Sequence, residues 1–237
     1  MCLSALIVFW VKAINKLRSL KKLDIPPVLA EKKDEWTRRY VAAKLEGRKP
    51  LPAPWRNKEI RRVLTKETFE RCAFCESELL AVAFGHIEHI EPRVIYPEKV
   101  VDWENLTLSC ERCNNAKLDY HSEITPLVNP YIDDPEDYLR FIGDLVLPIP
   151  GSDRAIMTVR KYGLFRVQLV GLRRARIEHF MLYLDRWVRA VDPVMSETLL
   201  DIMIEDFVTG PYQMTIRSLL LEFGVPAGRL KLPIAKS

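Results

Sequence analysis

Cys72-Ala73-Phe74-Cys75 and Cys110-Glu111-Arg112-Cys113-Asn114 enclose the run His86-Ile87-Glu88-His89-Ile90-Glu91-Pro92, and Lys117 follows the second pair. A Cys-x-x-Cys turn presents two sulfurs to one ion, so two such knuckles brought together complete a tetrahedron around Zn²⁺. Cys72, Cys75, Cys110 and Cys113 are therefore expected to form a closed structural zinc site. The pattern is specific for a metal and silent about function. The insert between Cys75 and Cys110 is longer than a minimal zinc ribbon needs, so it must house something else.

That insert and the residues just after it carry the reactive groups. Glu88 and Asn114 offer oxygen donors, which suit a hard cation such as Mg²⁺ or Mn²⁺ rather than the thiolate site. His89 can accept a proton from water near neutral pH, the task of a general base in phosphodiester hydrolysis. On a strand, successive side chains point to opposite faces, so Glu88 can hold metal while His89 faces the attacking water. His86 shares the face of Glu88 and is open between a phosphate contact and a structural role. Lys117, one turn after Asn114, is placed to meet a phosphate of a nucleic acid.

Composition narrows the class without deciding it. Lys and Arg number 36 against 32 Asp and Glu, a formal charge of +4, which permits a nucleic-acid partner and does not require one. The chain is 48% hydrophobic and 29% charged, a globular balance. Outside the two pairs the only cysteine is Cys2; a secreted disulfide scaffold would be denser in Cys, so a reduced, cytoplasmic setting is expected. The apolar stretch Leu3 to Val11 is too short to span a bilayer and lacks the flanks of a signal peptide. It is read as the start of a packed strand or helix, with a weak membrane or partner contact as the alternative. No membrane partner is expected.

Three segments follow. Residues 1–60 form a helical and extended lead-in: a helix after Pro26-Pro27 with Trp36, Tyr40, Val41 and Leu45 at helical spacing, ended by Gly47. A proline-rich strap spans Lys49 to Trp55, and Asn57 caps a short helix through Ile60, Val63 and Leu64. Residues 61–125 form the metal-bearing module. There, Leu79–Phe84 and His86–Ile90 read as short strands around a turn at Gly85, Trp103–Leu108 leads to the second Cys pair, and Asn114–Tyr120 reads as a helix. Residues 126–237 turn helical after a weak strand at Leu145–Leu147. Ile177, Phe180, Met181, Leu184, Trp187, Val188 and Val191 make an apolar stripe opposite Arg173, Arg174, Arg176, Arg186 and Arg189, a face read as solvated. Helices over Glu197–Val208 and Tyr212–Phe223 complete the chain.

Glu88-His89-Ile90-x-Pro92, Trp103-Glu104-Asn105-Leu106 and Cys110-x-x-Cys113-Asn114-x-x-Lys117 together resemble the zinc-bearing HNH endonucleases. The resemblance implies that Glu88 and Asn114 hold the catalytic metal, that His89 is the base, and that Asn105 braces the loop behind it. The family often has Asp or His at the position of Glu88 and His at that of Asn114; both replacements keep an oxygen donor. Pro54-Trp55-Arg56, Cys72-Ala73-Phe74-Cys75-Glu76, Pro126-Leu127-x-Asn129-Pro130 and the region from Gly163-Leu164 to Arg176 are similar to the HNH subunit of Septu phage-defence systems and its retron-associated homologues. That similarity implies an ABC- or SMC-like ATPase partner, a retron reverse transcriptase with its nucleic acid as a further associate, and DNA ahead of RNA as substrate. It also makes the apolar stripe a docking surface for the ATPase, against the plainer reading of core packing.

The expected fold is α+β: a zinc-stabilised ββα-metal core with helical N- and C-terminal extensions. The expected function is metal-dependent endonucleolytic cleavage of nucleic acid in an anti-phage assembly. The alternative is a catalytically inactive, zinc-stabilised module that binds nucleic acid or scaffolds an ATPase.

Overall fold

A computed structural model describes residues 20–79, 85–232 and 235. The expected strand at Leu79–Phe84 falls outside these residues except for Leu79, and the apolar stretch Leu3 to Val11 falls wholly outside them.

Helix α1, Pro27–Leu45, starts on a proline in its first turn, where the missing N–H costs nothing. It ends with Gly47 at a φ of +67°. Its inward face is Leu29, Tyr40 and Ala43 with Trp36 beside them, whereas Leu45 is 83% exposed. The proline strap then delivers Trp55 into a 3₁₀ turn, Pro54–Arg56, where it is buried edge-on to Tyr40 at 5.8 Å. Helix α2, Lys58–Glu67, is capped by the Asn57 side chain, which accepts from the Glu59 N–H at 2.8 Å. Its Ile60 and Leu64 are fully buried.

Strand β1, His86–His89, pairs antiparallel with β2, Leu106–Ser109, so that Glu88 faces Thr107 and His86 faces Ser109. Gly85 enters β1 where a Cβ would crowd Leu79 Cδ1 at 2.7 Å and the Ser109 carbonyl at 3.2 Å, so a larger residue would require Leu79 and the strand to shift. Helix α3, Glu111–Lys117, follows β2 directly. It begins earlier than the expected Asn114–Tyr120 because Cys110 takes the N-cap, and it stops at Leu118, whose φ is 50°. Asn114 and Lys117 thus sit within the helix rather than at its start.

A hairpin comes next: β3, Leu139–Ile142, paired with β4, Leu145–Pro148. Only β4 was expected. Helix α4, Asp153–Lys161, was not expected at all, although Ser152 caps it and Arg160 and Lys161 close its last turn. The chain ends in three helices: α5, Val167–Arg189, α6, Pro193–Thr209, and α7, Gln213–Glu222.

Two hydrophobic cores organise these elements. The first gathers Leu29, Tyr40, Ile60, Leu64, Ile87, Leu106, Leu108, Val159, Tyr162 and Leu169 around the sheet, and so draws on all three segments read from the sequence. The second holds α5, α6 and α7 together through Phe180, Leu184, Met203, Phe207, Ile216 and Leu220. The apolar stripe is therefore divided: Phe180 and Leu184 are buried and Ile177 and Trp187 pack against them, while Met181, Val188 and, past the helix end, Val191 are exposed.

The arginine face opposite that stripe is not wholly solvated. Arg173 is buried and donates to the Leu164 carbonyl at 2.7 Å, and Arg176 grips the Asp206 carboxylate at 2.7 and 3.0 Å. Helix α5 spans both cores, so it has two inward faces where a helical wheel allows one. No helix among the described residues is long and apolar enough to cross a membrane.

Candidate metal and nuclease centre

The four cysteines converge. The sulfurs of Cys72, Cys75, Cys110 and Cys113 all lie within 4.8 Å of one another, and Cys75 and Cys110 are 3.7 Å apart. A tetrahedron with Zn–S bonds of about 2.3 Å has edges of about 3.8 Å, so the cluster fits zinc in size and in donor type. The first knuckle is shaped by the Glu76 N–H donating to Cys72 O at 3.0 Å and the Cys72 N–H to Ser77 O at 2.9 Å. It is tied to the sheet by the Ala73 N–H on the Leu108 carbonyl at 3.0 Å. The second knuckle is the start of α3, where Cys110 Sγ accepts from the Cys113 N–H at 3.4 Å.

The knuckles are also clasped from the C-terminal side. Ser77 Oγ and Tyr212 Oη are 3.0 Å apart, and the Met214 N–H donates to Glu76 Oε2 at 3.2 Å. The Arg166 guanidinium lies 3.5 Å from Cys75 Sγ, 3.7 Å from Cys113 Sγ and 3.9 Å from Cys110 Sγ. A zinc held by four thiolates carries net negative charge, and this arginine offsets it. Sequence reading missed Arg166, because its partners lie far away along the chain.

On the other end of the scaffold, β1 carries the residues expected to be reactive. His89 is 2% exposed, and its Nε2 is 2.8 Å from the Val100 carbonyl. A carbonyl only accepts, so Nε2 carries the proton and Nδ1 keeps its lone pair. That Nδ1 is buried without a hydrogen-bond partner among the described residues. Burial lowers the His89 pKa to about 4, and the bond to Val100 offsets this only in part. The imidazole is neutral at physiological pH, with one basic nitrogen that accepts no hydrogen bond among the described residues. Six buried side-chain polar atoms lack a partner among the described residues, and His89 Nδ1 is the one ring nitrogen among them.

Asn105 fixes the loop that supplies the Val100 carbonyl. Its Nδ2 donates to Glu91 O and Lys99 O, both at 3.1 Å, and its Oδ1 accepts from the Glu91 N–H at 2.7 Å. From the front, Trp55 packs edge-on against His89 with ring centroids 5.1 Å apart. Arg93 lies across the other part of Trp55, its Cζ 5.0 Å from the ring centroid.

Helix α3 covers the His86 and Glu88 face of β1. Asn114 Nδ2 meets His86 Nδ1 at 3.2 Å, and one turn later Lys117 Nζ donates to Glu88 Oε1 at 2.8 Å and to His89 O at 2.7 Å. The helix therefore brings Asn114 and Glu88 to one side of the strand. Lys117 is 2% exposed and engaged with Glu88, so it lies inside the site rather than on a surface open to a phosphate. Glu88 is also buried, which raises its pKa against the opposing pull of Lys117. A separate cleft of about 530 Å³ adjoins Asn105, lined by Glu91, Asp102, Glu104 and Asp133 together with His121, Arg154 and several apolar side chains. His89 is not part of it.

Comparison with known proteins agrees with this geometry. Residues 72–119 match the family model for HNH endonuclease. Over 180 residues the chain is 27% identical to the Septu protein PtuB of Bacillus thuringiensis, covering 70% of each chain. It is 25% identical over 146 residues to the Septu protein PtuB of Bacillus mycoides (strain KBAB4), covering 48% of this chain and 50% of that one. The paired strands, the following helix and the four-cysteine cluster all lie within residues 72–119, the stretch that matches the HNH endonuclease model, in a chain similar to Septu PtuB.

Proposed function

We propose that this chain is a metal-dependent endonuclease that hydrolyses phosphodiester bonds of nucleic acid, DNA ahead of RNA, as the nuclease component of an anti-phage assembly. The observation that carries the proposal is the unpaired Nδ1 of His89, whose tautomer is set by the Val100 carbonyl. A nitrogen so presented takes the proton from an attacking water, and Asn105 keeps it aimed by holding the Val100 loop. The low pKa keeps His89 in the proton-accepting form across the physiological range. Trp55 restricts the ring to one orientation.

Glu88 and Asn114 are the oxygen donors assigned to a hard cation. The carboxylate retains Oε2 beside the Lys117-bonded Oε1, and Asn114 lies on the same helix-covered face. A Mg²⁺ or Mn²⁺ bound there supplies charge stabilisation for the phosphate and the departing oxygen. Lys117 holds Glu88 and the His89 carbonyl in register and so positions both reactive residues. His86, beside Asn114, is assigned to the substrate side of the same face.

The assembly rests on the similarity to Septu PtuB, which implies an ABC- or SMC-like ATPase partner. The α5 stripe is partly taken up by internal packing, so the partner contact is assigned to no surface. The reverse transcriptase is not part of the proposal, because the relatives matched give it no support. A second reading is favoured by one observation, the buried Glu88–Lys117 pair. A lysine already engaging the carboxylate is what a module that has given up metal catalysis for binding would show.

Cleavage assays decide between the readings. Purified protein, alone and with the neighbouring ATPase co-expressed, is incubated with DNA and with RNA in Mg²⁺, in Mn²⁺ and without added metal. Metal-dependent cutting is expected. Binding without cutting under every condition overturns the enzyme and leaves the scaffold. Failure of the ATPase to co-purify overturns the assembly while leaving the nuclease.

A further inference from the structure

The charges around His89 do not balance. Glu88 is the buried acid of the site, and Lys117 already neutralises it at 2.8 Å. Arg93 remains, mounted on Trp55 beside these residues. Among the described residues no carboxylate forms an ion pair with Arg93, while Glu91, two positions away, is taken by Lys99. The guanidinium is half-buried and held against the face of Trp55, the same ring that packs edge-on to His89.

A cation with no ion-pair partner among the described residues is available to an arriving anion. The stack leaves the planar fork of N–H donors free at its edge, and that fork matches two oxygens of a phosphate. The site thus has a cation with no ion-pair partner among the described residues, an aromatic mount for it, and His89 packed against the same tryptophan. The geometry points to Arg93 as the residue that grips the phosphate under attack, mounted by Trp55 beside His89. This deepens the nuclease reading and rests on it.

A plain structural role is the rival: an arginine that merely covers a tryptophan would affect folding and nothing else. Binding of labelled duplex DNA is measured against KCl concentration in a His89→Ala background, so that no substrate is consumed. Arg93→Gln is expected to weaken binding about 10-fold and to flatten the dependence of log K on log salt by about 0.9, the value for one lost phosphate contact. Arg93→Lys is expected to keep the slope, since charge is retained, while lowering single-turnover cleavage at least 10-fold in the otherwise native protein, since the fork is lost. Arg189→Gln, a change at a surface cation paired with Asp185, is the control and is expected to leave the slope unchanged.

An Arg93→Gln protein with native affinity and slope overturns the proposal, as does an equal loss in Arg189→Gln, which would mean that only net charge is sensed. Thermal melting of each variant separates these outcomes from unfolding. If the native protein cuts nothing, the nuclease reading falls, and the salt slope still reports whether Arg93 meets phosphate.

Discussion

The cysteine cluster and the His89 centre share one ββα scaffold and treat their polar groups in opposite ways. At the cluster, the four sulfurs face one another, Arg166 answers their charge, and residues from α7 close the outside. At the other centre, Asn105 and Lys117 are fully engaged, yet among the described residues His89 Nδ1 has no hydrogen-bond partner and Arg93, packed on Trp55, has no ion pair. Closure is what a folding clamp requires, because any opening would let the metal exchange. Incompleteness is what a reactive site requires, because substrate must supply the missing partners. On this reading the protein is clamped at one end and holds two groups ready at the other.

The largest expected effect breaks the first half of that contrast. Cys110→Ser should abolish zinc retention and the cooperative unfolding transition together, since binding at such a site contributes on the order of 10 kcal/mol to folding. Elemental analysis and a thermal melt check both, and a folded, zinc-free variant would show that the cluster is not a clamp. Acid should act on the second half. His89 has its pKa lowered from 6.5 to about 4 in the fold, so below pH 6.5 the unfolded chain binds the proton more readily. Stability from this residue is full above about pH 6.5 and falls progressively towards pH 4, by about 3 kcal/mol in total. Urea titrations at several pH values measure it, and His89→Gln should remove this part of the acid slope.

A smaller loss, about 2–3 kcal/mol, is expected for Asn105→Ala, which strips hydrogen bonds from the Glu91 and Lys99 backbone. Cleavage should fall further than stability does, because the Val100 carbonyl loses its support. Equal stability in the native and Asn105→Ala proteins would show that the brace is not needed. Arg166→Gln should leave the fold intact and speed zinc loss to a chelator about 10-fold, with unchanged release as the contrary result. Least of all, Val191→Ser should change stability by less than about 0.5 kcal/mol, since that side chain is 95% exposed.

What the sequence disclosed follows the range of the signal. The knuckles and the His89 motif are local, with their chemistry packed into a few residues, so the cysteine cluster and the ββα order were readable. Asn57 and Ser152 are equally local caps, but only the first stood beside an apolar rhythm strong enough to call a helix. Strand β3 escaped because Leu139-Arg140-Phe141-Ile142 breaks alternation at its end, although Gly143-Asp144 is a recognisable hairpin turn. Arg173 was misjudged because one helix serves two cores. Trp55, Arg93 and Arg166 take their meaning from contacts between distant segments, which no periodicity records. The burial of Lys117 was hidden for the same reason: its spacing from Asn114 fixed its face of the helix, not what lay across from it.

Replacing His89 with Ala tests the account most directly. Cleavage is measured with Mg²⁺ or Mn²⁺ under conditions where the native protein cuts, with zinc content and melting followed in the same preparations. Removal of a positioned base is expected to lower the rate by about 10²–10⁴, with the zinc retained and the fold intact. A His89→Ala protein that keeps its zinc and cuts as fast as the native one would contradict the account, because the unpaired nitrogen would then have no part in the chemistry.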